Sequence, residues 1–216
     1  MNKIILFDLD GTLIDSTDAI VSTFKHSFEK LDFDFSGNDE DIKNLIGYPL
    51  DIMYKSLGVD EDRVWDFVDT YKNRYREISK EQTTLLENAF EAVKLASQIA
   101  RVSVVTTKTR MYTMPLLDHF NITQFFEIVT GRENVKNPKP HPEPILVTLE
   151  QMNYDEKRDS VWMIGDTKLD LIAAREANIN SIGVLCGYGT LDELKEYTNI
   201  IKNNSLEAIN FLKEHV

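Results

Sequence analysis

The sequence holds a single cysteine, Cys186, which excludes an internal disulfide framework and fits a reducing cytoplasm. Cys186 falls in a run of β-type residues and reads as a buried small hydrophobe rather than a reactive thiol. No apolar run approaches the ~20 residues needed to cross a bilayer. A signal peptide is not expected either, because only Lys3 precedes a strand-like run that leads straight into Asp8. Basic excess is missing too. A formal net charge of −12 argues against nucleic acid or anionic membrane as partner, since both demand a basic face. It leaves a phosphorylated small molecule open, because a metal ion and a few local cations can reverse the sign inside one pocket. Internal repeats and low-complexity segments are absent, as is the Gly-x-x-x-x-Gly-Lys-Ser/Thr loop of P-loop nucleotide hydrolases. Nothing in the pattern specifies an oligomeric state.

What is present is an ordinary globular composition, 42% hydrophobic and 28% charged over 216 residues, enough for one domain with an insertion. Ile4-Ile5-Leu6-Phe7 reads as a strand buried on both faces. It ends in Asp8 and Asp10, then Gly11, which frees the backbone to turn, and Thr12. From Ser16 to Leu85 the periodicity is helical. Helices are expected over Ile20–Leu31 with Ser16 or Thr17 as cap, over Ile42–Ile46 after a loop at 32–41, over Leu50–Leu57 and over Val64–Ile78. No strand is expected there.

From Leu86 helix and strand alternate. Strands are expected at Val102–Thr106, Phe125–Thr130, Val161–Ile164 and Ser181–Leu185, with helices between them and a last helix capped by Ser205. Such alternation builds an α/β fold, a Rossmann-like parallel sheet with helices on both faces. The first strand belongs to that sheet by its buried character. The expected organisation is therefore a core of residues 1–15 and 86–216 with an inserted all-helical cap at 16–85.

The strand ends carry the chemistry. Thr106-Thr107-Lys108 offers hydroxyls and N–H groups at a helix start, a place that suits an anion. Asn137-Pro138-Lys139-Pro140-His141-Pro142 has prolines at alternate positions; it is expected to run stiff and extended, with Lys139 held in place and His141 at the surface. Asp166 and Asp170 follow the apolar run Val161–Ile164 and Gly165, with spacing that puts both on one face of a first helical turn. Hard oxygen ligands without clustered His or Cys select Mg2+ over Zn2+. Mg2+ beside an anion cradle and a lysine describes phosphoryl transfer.

Asp8-Leu9-Asp10-Gly11-Thr12-Leu13, Thr106, Lys139 and Gly165-Asp166-Thr167 with Asp170 resemble, in order and spacing, the four motifs of the haloacid dehalogenase-like phosphatases. Gly47-Tyr48-Pro49, Lys139-Pro140-His141-Pro142 and Gly187-Tyr188-Gly189 look like the branch of phosphoglycolate phosphatases and the related pyrophosphatase. Two segments depart from the pattern: Thr107 stands where Asn is commoner, and Leu86-Glu87-Asn88-Ala89 replaces a usual Pro-Gly segment.

The resemblance implies a Mg2+-dependent phosphatase that hydrolyses a small phosphorylated metabolite, a phosphoglycolate-like ester or pyrophosphate, through an aspartyl-phosphate. Asp8 would be the nucleophile and Asp10 the proton donor and acceptor, with Lys139 offsetting charge. Gly11, Thr106, Thr107 and Lys139 would bind the phosphoryl group. Mg2+ would be held by Asp8, the Asp10 carbonyl and Asp166, with Asp170 ordering the shell. Tyr48 and the basic run Lys72, Arg74 and Arg76 beside Tyr75 are the cap's substrate-reading candidates, above all Tyr48, Arg74 and Arg76. The alternative activity on this scaffold is a sugar-phosphate mutase of the β-phosphoglucomutase kind, which needs a second phosphate site in the cap. A dehalogenase would not need Asp10 as an acid, and a non-catalytic binding protein would not need all four motifs.

Overall fold

The computed structural model describes residues 2–157 and 159–215. In chain order the elements are β1 Asn2–Phe7, β2 Ile14–Asp15, α1 Thr17–Lys30, α2 Asp39–Lys43, α3 Leu50–Ser56, α4 Val64–Ile78, β3 Thr84–Leu85, α5 Ala89–Ile99 and β4 Arg101–Val105. There follow α6 Arg110–His119, β5 Ile128–Thr130, α7 Glu143–Gln151, β6 Asp159–Gly165, α8 Lys168–Glu176, β7 Asn180–Val184, α9 Leu191–Leu194, β8 Ile201–Lys202 and α10 Ser205–His215. No helix among the described residues is long and apolar enough to cross a membrane.

Six strands form one sheet in the order β5-β4-β1-β6-β7-β8, with every pairing parallel. The pleat explains why a continuous apolar run makes its centre. Ile5 and Phe7 point to one face and pack with Ala89, Val93 and Ala96 of α5 and Ala208, Ile209 and Leu212 of α10. Ile4 and Leu6 point to the other, against Ile145 and Leu149 of α7 and Ala173 and Ala174 of α8. Both faces are covered, as an all-parallel sheet requires. The α/β expectation holds. Because β4 and β6 flank β1 on opposite sides, the strand order reverses at β1, and ligands of such sheets bind beyond the carboxyl ends at that point.

The chain divides into two compact units, Met1–Asp15 with Leu85–Val216, and Ser16–Thr84; residues 1 and 216, where the expected core begins and ends, lie outside the described residues. Leu85, placed with the insertion from sequence, goes with the sheet unit. It packs against that unit's apolar cluster, and the next residue, Leu86, donates its N–H to the Leu13 carbonyl, 3.0 Å. The two-residue strand β3 is also a departure from the all-helical expectation for 16–85.

Other differences are local. α2 begins at Asp39, within the expected loop, because Asn38 caps it and Asp41 returns a bond to the Asn38 N–H. β5 is shorter than expected, since Thr123–Phe125 forms a 3-10 turn. Asn88 holds φ +61° ahead of α5, a left-handed backbone that Asn tolerates better than most residues with a Cβ.

The second unit is closed by rings rather than by a sheet. Phe24 is fully buried, with the rings of Tyr54, Tyr71 and Phe28 centred 4.5, 5.1 and 6.0 Å away. The Tyr54 hydroxyl meets Ser27 Oγ at 2.6 Å.

Candidate active site

β1 remains in the ladder through Asp8, whose N–H donates to the Ile164 carbonyl, 2.9 Å. The chain then closes a tight loop. Leu13 and Ile14 donate to the Leu9 carbonyl at 2.9 and 3.0 Å, and Gly11 donates to the Ile14 carbonyl at 2.8 Å. Gly11 sits at φ +82°, and a Cβ there would lie 2.2 Å from Asp166 Oδ2. Only glycine fits that turn and that approach.

Four of the expected site residues converge at the carboxyl edge. Lys139 Nζ stands 2.8 Å from Asp8 Oδ1 and 2.5 Å from Asp170 Oδ1, and donates to the Val105 carbonyl at 3.0 Å. Asp170 Oδ2 accepts from the Thr167 N–H at 3.1 Å and the Thr167 hydroxyl at 2.8 Å, a capping box at the start of α8. Asp166 accepts from the Thr12 hydroxyl at 2.8 Å and the Tyr188 N–H at 2.9 Å. Asp8, Asp166, Asp170 and Lys139 are all buried.

The loop that carries Lys139 is not extended. His141 donates its N–H to the Pro138 carbonyl at 3.0 Å and closes a turn. Proline fixes its own φ but not the intervening backbone, and Lys139 is drawn inward by two carboxylates and a carbonyl. It is 3% exposed, so it is not a solvated lysine. His141 is exposed, as expected.

Asp10, Thr106 and Thr107 follow the ends of β1 and β4. Asp10 Oδ1 faces Lys108 Nζ at 3.2 Å. Thr106, buried directly after β4, accepts the Lys108 N–H on its hydroxyl at 3.1 Å. Thr107 follows it, half-buried. Three candidates lie in the other unit: Tyr48 is half-buried, Arg74 pairs with Glu77 at 3.0 Å, and Arg76 is exposed. Lys108 and the Thr12 hydroxyl are site members that carry no role in the sequence expectation. Both sit inside the quoted motifs, yet nothing in their spacing announces a partner 98 or 154 residues away.

Burial and like charge act together on the cluster. Burial, then the neighbouring Asp170 carboxylate, pushes the Asp8 carboxyl up to about 7 against the pull of Lys139. Asp166 is raised well above the usual carboxylate range by burial and by Asp8 and Asp170. Burial opposes the charge on Lys139, but Asp170 and Asp8 outweigh it and raise its pKa. Asp8, Asp166 and Asp170 each offer an oxygen within 4.8 Å of the others. A set of three buried carboxylates, in which Asp8 and Asp166 are penalised by their neighbours, suits a hard divalent ion. Cys186 has its thiol raised to about 11, chiefly by burial, and donates to the Gly11 carbonyl at 3.4 Å; it is not a nucleophile.

Known proteins are similar to this chain over most of its length. Residues 5–184 match the family profile of haloacid dehalogenase-like hydrolases. Pyrophosphatase PpaX of Halalkalibacterium halodurans is 33% identical over 190 residues, 88% of this chain and 85% of that protein. A phosphoglycolate phosphatase of Colwellia psychrerythraea is 26% identical over 206 residues, 90% of this chain and 89% of that protein. A solved haloacid dehalogenase-like family hydrolase of Streptococcus pneumoniae superposes with a TM-score of 0.86 at 25% identity, covering 98% of each chain. The family match spans the ends of β1, β4 and β6, and the chain belongs to the haloacid dehalogenase-like hydrolase family.

Proposed function

We propose that the protein is a Mg2+-dependent phosphatase of a small phosphorylated metabolite, working through an aspartyl-phosphate on Asp8. One observation carries the reading: Asp8, Asp166, Asp170 and Lys139 are buried together at the carboxyl edge of the sheet. A site of that kind gives up stability in the free protein, which is expected where function requires it.

In this reading Asp8 attacks phosphorus in line, the bond to the leaving oxygen breaks, and Asp10 gives that oxygen its proton. Water then attacks the aspartyl-phosphate and passes a proton to Asp10, which releases inorganic phosphate and restores Asp8. Lys139, already bonded to Asp8, offsets the repulsion between carboxylate and phosphate. Thr106, Thr107 and the backbone near Gly11 donate to the phosphoryl oxygens. Mg2+ on Asp8, Asp166 and the Asp10 carbonyl would neutralise charge on the transferring group. Asp170, whose oxygens hold Lys139 and receive Thr167, keeps the lysine in place as well as closing the acid cluster. The unit Ser16–Thr84 serves as the cap, with Tyr48, Arg74 and Arg76 as its candidates for reading substrate.

The names of the relatives support pyrophosphate and phosphoglycolate as the first substrates to try. Phosphate release from a panel of phosphoesters and pyrophosphate, with and without Mg2+, tests the proposal. Mg2+-dependent turnover that Asp8→Asn abolishes is expected. Turnover of any panel member at wild-type rate by Asp8→Asn overturns the nucleophile assignment. Isomerisation of an added hexose phosphate faster than phosphate release would favour a mutase instead.

A further inference from the structure

We propose that Lys108 is a positioning residue for Asp10, fixing the carboxylate that handles the proton; this rests on the function proposed above. The two acids of Asp8-Leu9-Asp10 have separate cations. Asp8 shares Lys139 with Asp170 and the Val105 carbonyl. Asp10 faces Lys108 at 3.2 Å, with the side chains only 9% and 11% exposed for lysine and aspartate.

Most ion pairs at a protein surface contribute little, because water competes and two flexible side chains must be ordered. This pair differs on both counts. Lys108 stands in the turn between β4 and α6, and its backbone is tied on both sides. Its N–H donates to Thr106 Oγ1 at 3.1 Å, and its carbonyl accepts from the Arg132 N–H at 3.1 Å. Asp10 is anchored in turn by the loop bonds from Gly11, Leu13 and Ile14. Two fixed backbones meeting through a shielded ion pair leave the Asp10 carboxylate little freedom to turn away. Misplacement of a reacting group by about 1 Å costs on the order of 10²-fold in rate, so an acid on a short side chain gains from such a restraint. Lys139 does not supply it, since its ammonium is already shared by Asp8, Asp170 and Val105. The hydroxyl that anchors Lys108 belongs to Thr106, so one turn serves both phosphoryl group and proton donor.

The test compares leaving groups. Protonation matters for an alkyl phosphate, whose alkoxide leaves poorly, and hardly at all for a nitrophenyl phosphate. The Lys108→Met and Lys108→Gln variants are assayed with Mg2+ on one substrate of each kind, reading kcat/KM, which reports steps through formation of the aspartyl-phosphate. Melting temperatures near that of the wild type identify the folded variants. The expected result is a loss of about 30-fold or more on the alkyl phosphate and under about threefold on the aryl one, with Lys108→Arg recovering most of it. Equal losses on both substrates would make Lys108 a phosphate ligand or a structural residue, and no loss on either would make the pair incidental; either result overturns the inference. Asp10→Asn is the calibrating variant, with the same selectivity and a loss of about 10²–10⁴-fold on the alkyl phosphate. Selectivity in Asp10→Asn without selectivity in the Lys108 variants removes the positioning role alone. Its absence from Asp10→Asn removes the Asp10 assignment itself.

Discussion

The two units of this chain handle charge and apolar surface in opposite ways. In the sheet unit the interior is mainly aliphatic, yet three carboxylates and a lysine are buried at its edge. In Ser16–Thr84 the interior is aromatic, built on Phe24, Phe28, Tyr54, Phe67 and Tyr71. Ion pairs there, such as Lys25–Asp39 and Arg74–Glu77, stay exposed. The sheet unit thus carries the cost of buried charge at one edge, the kind of cost a reactive site accepts, whereas the ion pairs named in the ring-packed unit stay in water.

Substitutions can break or sharpen that contrast. The largest effect is expected at Asp8. Asp8→Asn should lower turnover at least 10³-fold in a phosphate-release assay while raising the melting temperature of the metal-free protein. Burial and Asp170 already penalise that charge. A less stable variant would mean that the charge on Asp8 helps hold the edge together instead of straining it. Next comes Phe24→Ala, which opens a cavity among rings and should cost about 3–5 kcal/mol in urea unfolding. A cost below about 1 kcal/mol would show that the ring cluster is loosely packed.

Metal linkage follows. Mg2+ at a hundred times its dissociation constant should stabilise the protein by about 2.7 kcal/mol, read as a rise in melting temperature that chelation reverses. Asp166→Asn should lose the rise. A smaller effect is expected from Tyr54→Phe, which removes the buried hydroxyl paired with Ser27 and should cost about 1 kcal/mol. Arg74→Ala should change stability by under about 0.5 kcal/mol, because its pair with Glu77 is exposed. If it also raises KM, Arg74 is one of the residues that read substrate.

Legibility from sequence followed the same division. β1 and the Asp8–Gly11 turn were readable because a strand buried on both faces cannot hide its composition, and polar residues directly after it stand out. α4 was readable from its single apolar stripe. α2 starts earlier than its apolar residues indicate, because the Asn38–Asp41 capping box lies within the polar run 32–41. The two-residue strand β3 and the short β8 carry no period to detect. At the site, the motif acids were visible as strand ends. The burial of the Lys139 ammonium, the pairing of Lys108 with Asp10 and the bond from Thr12 to Asp166 depend on tertiary approach alone.

The place of β1 between β4 and β6 has a consequence for biosynthesis. Its register partners Val102 and Trp162 for Ile5 emerge from the ribosome long after it does. At 5–20 residues per second, β6 follows β1 by about 8–30 s. Throughout that interval Ile4–Phe7 is an apolar segment with at least one edge unpaired, the kind of surface that chaperones bind and that aggregates when they do not. The strand that presents the candidate nucleophile is therefore also the one whose shelter depends on most of the chain having been made.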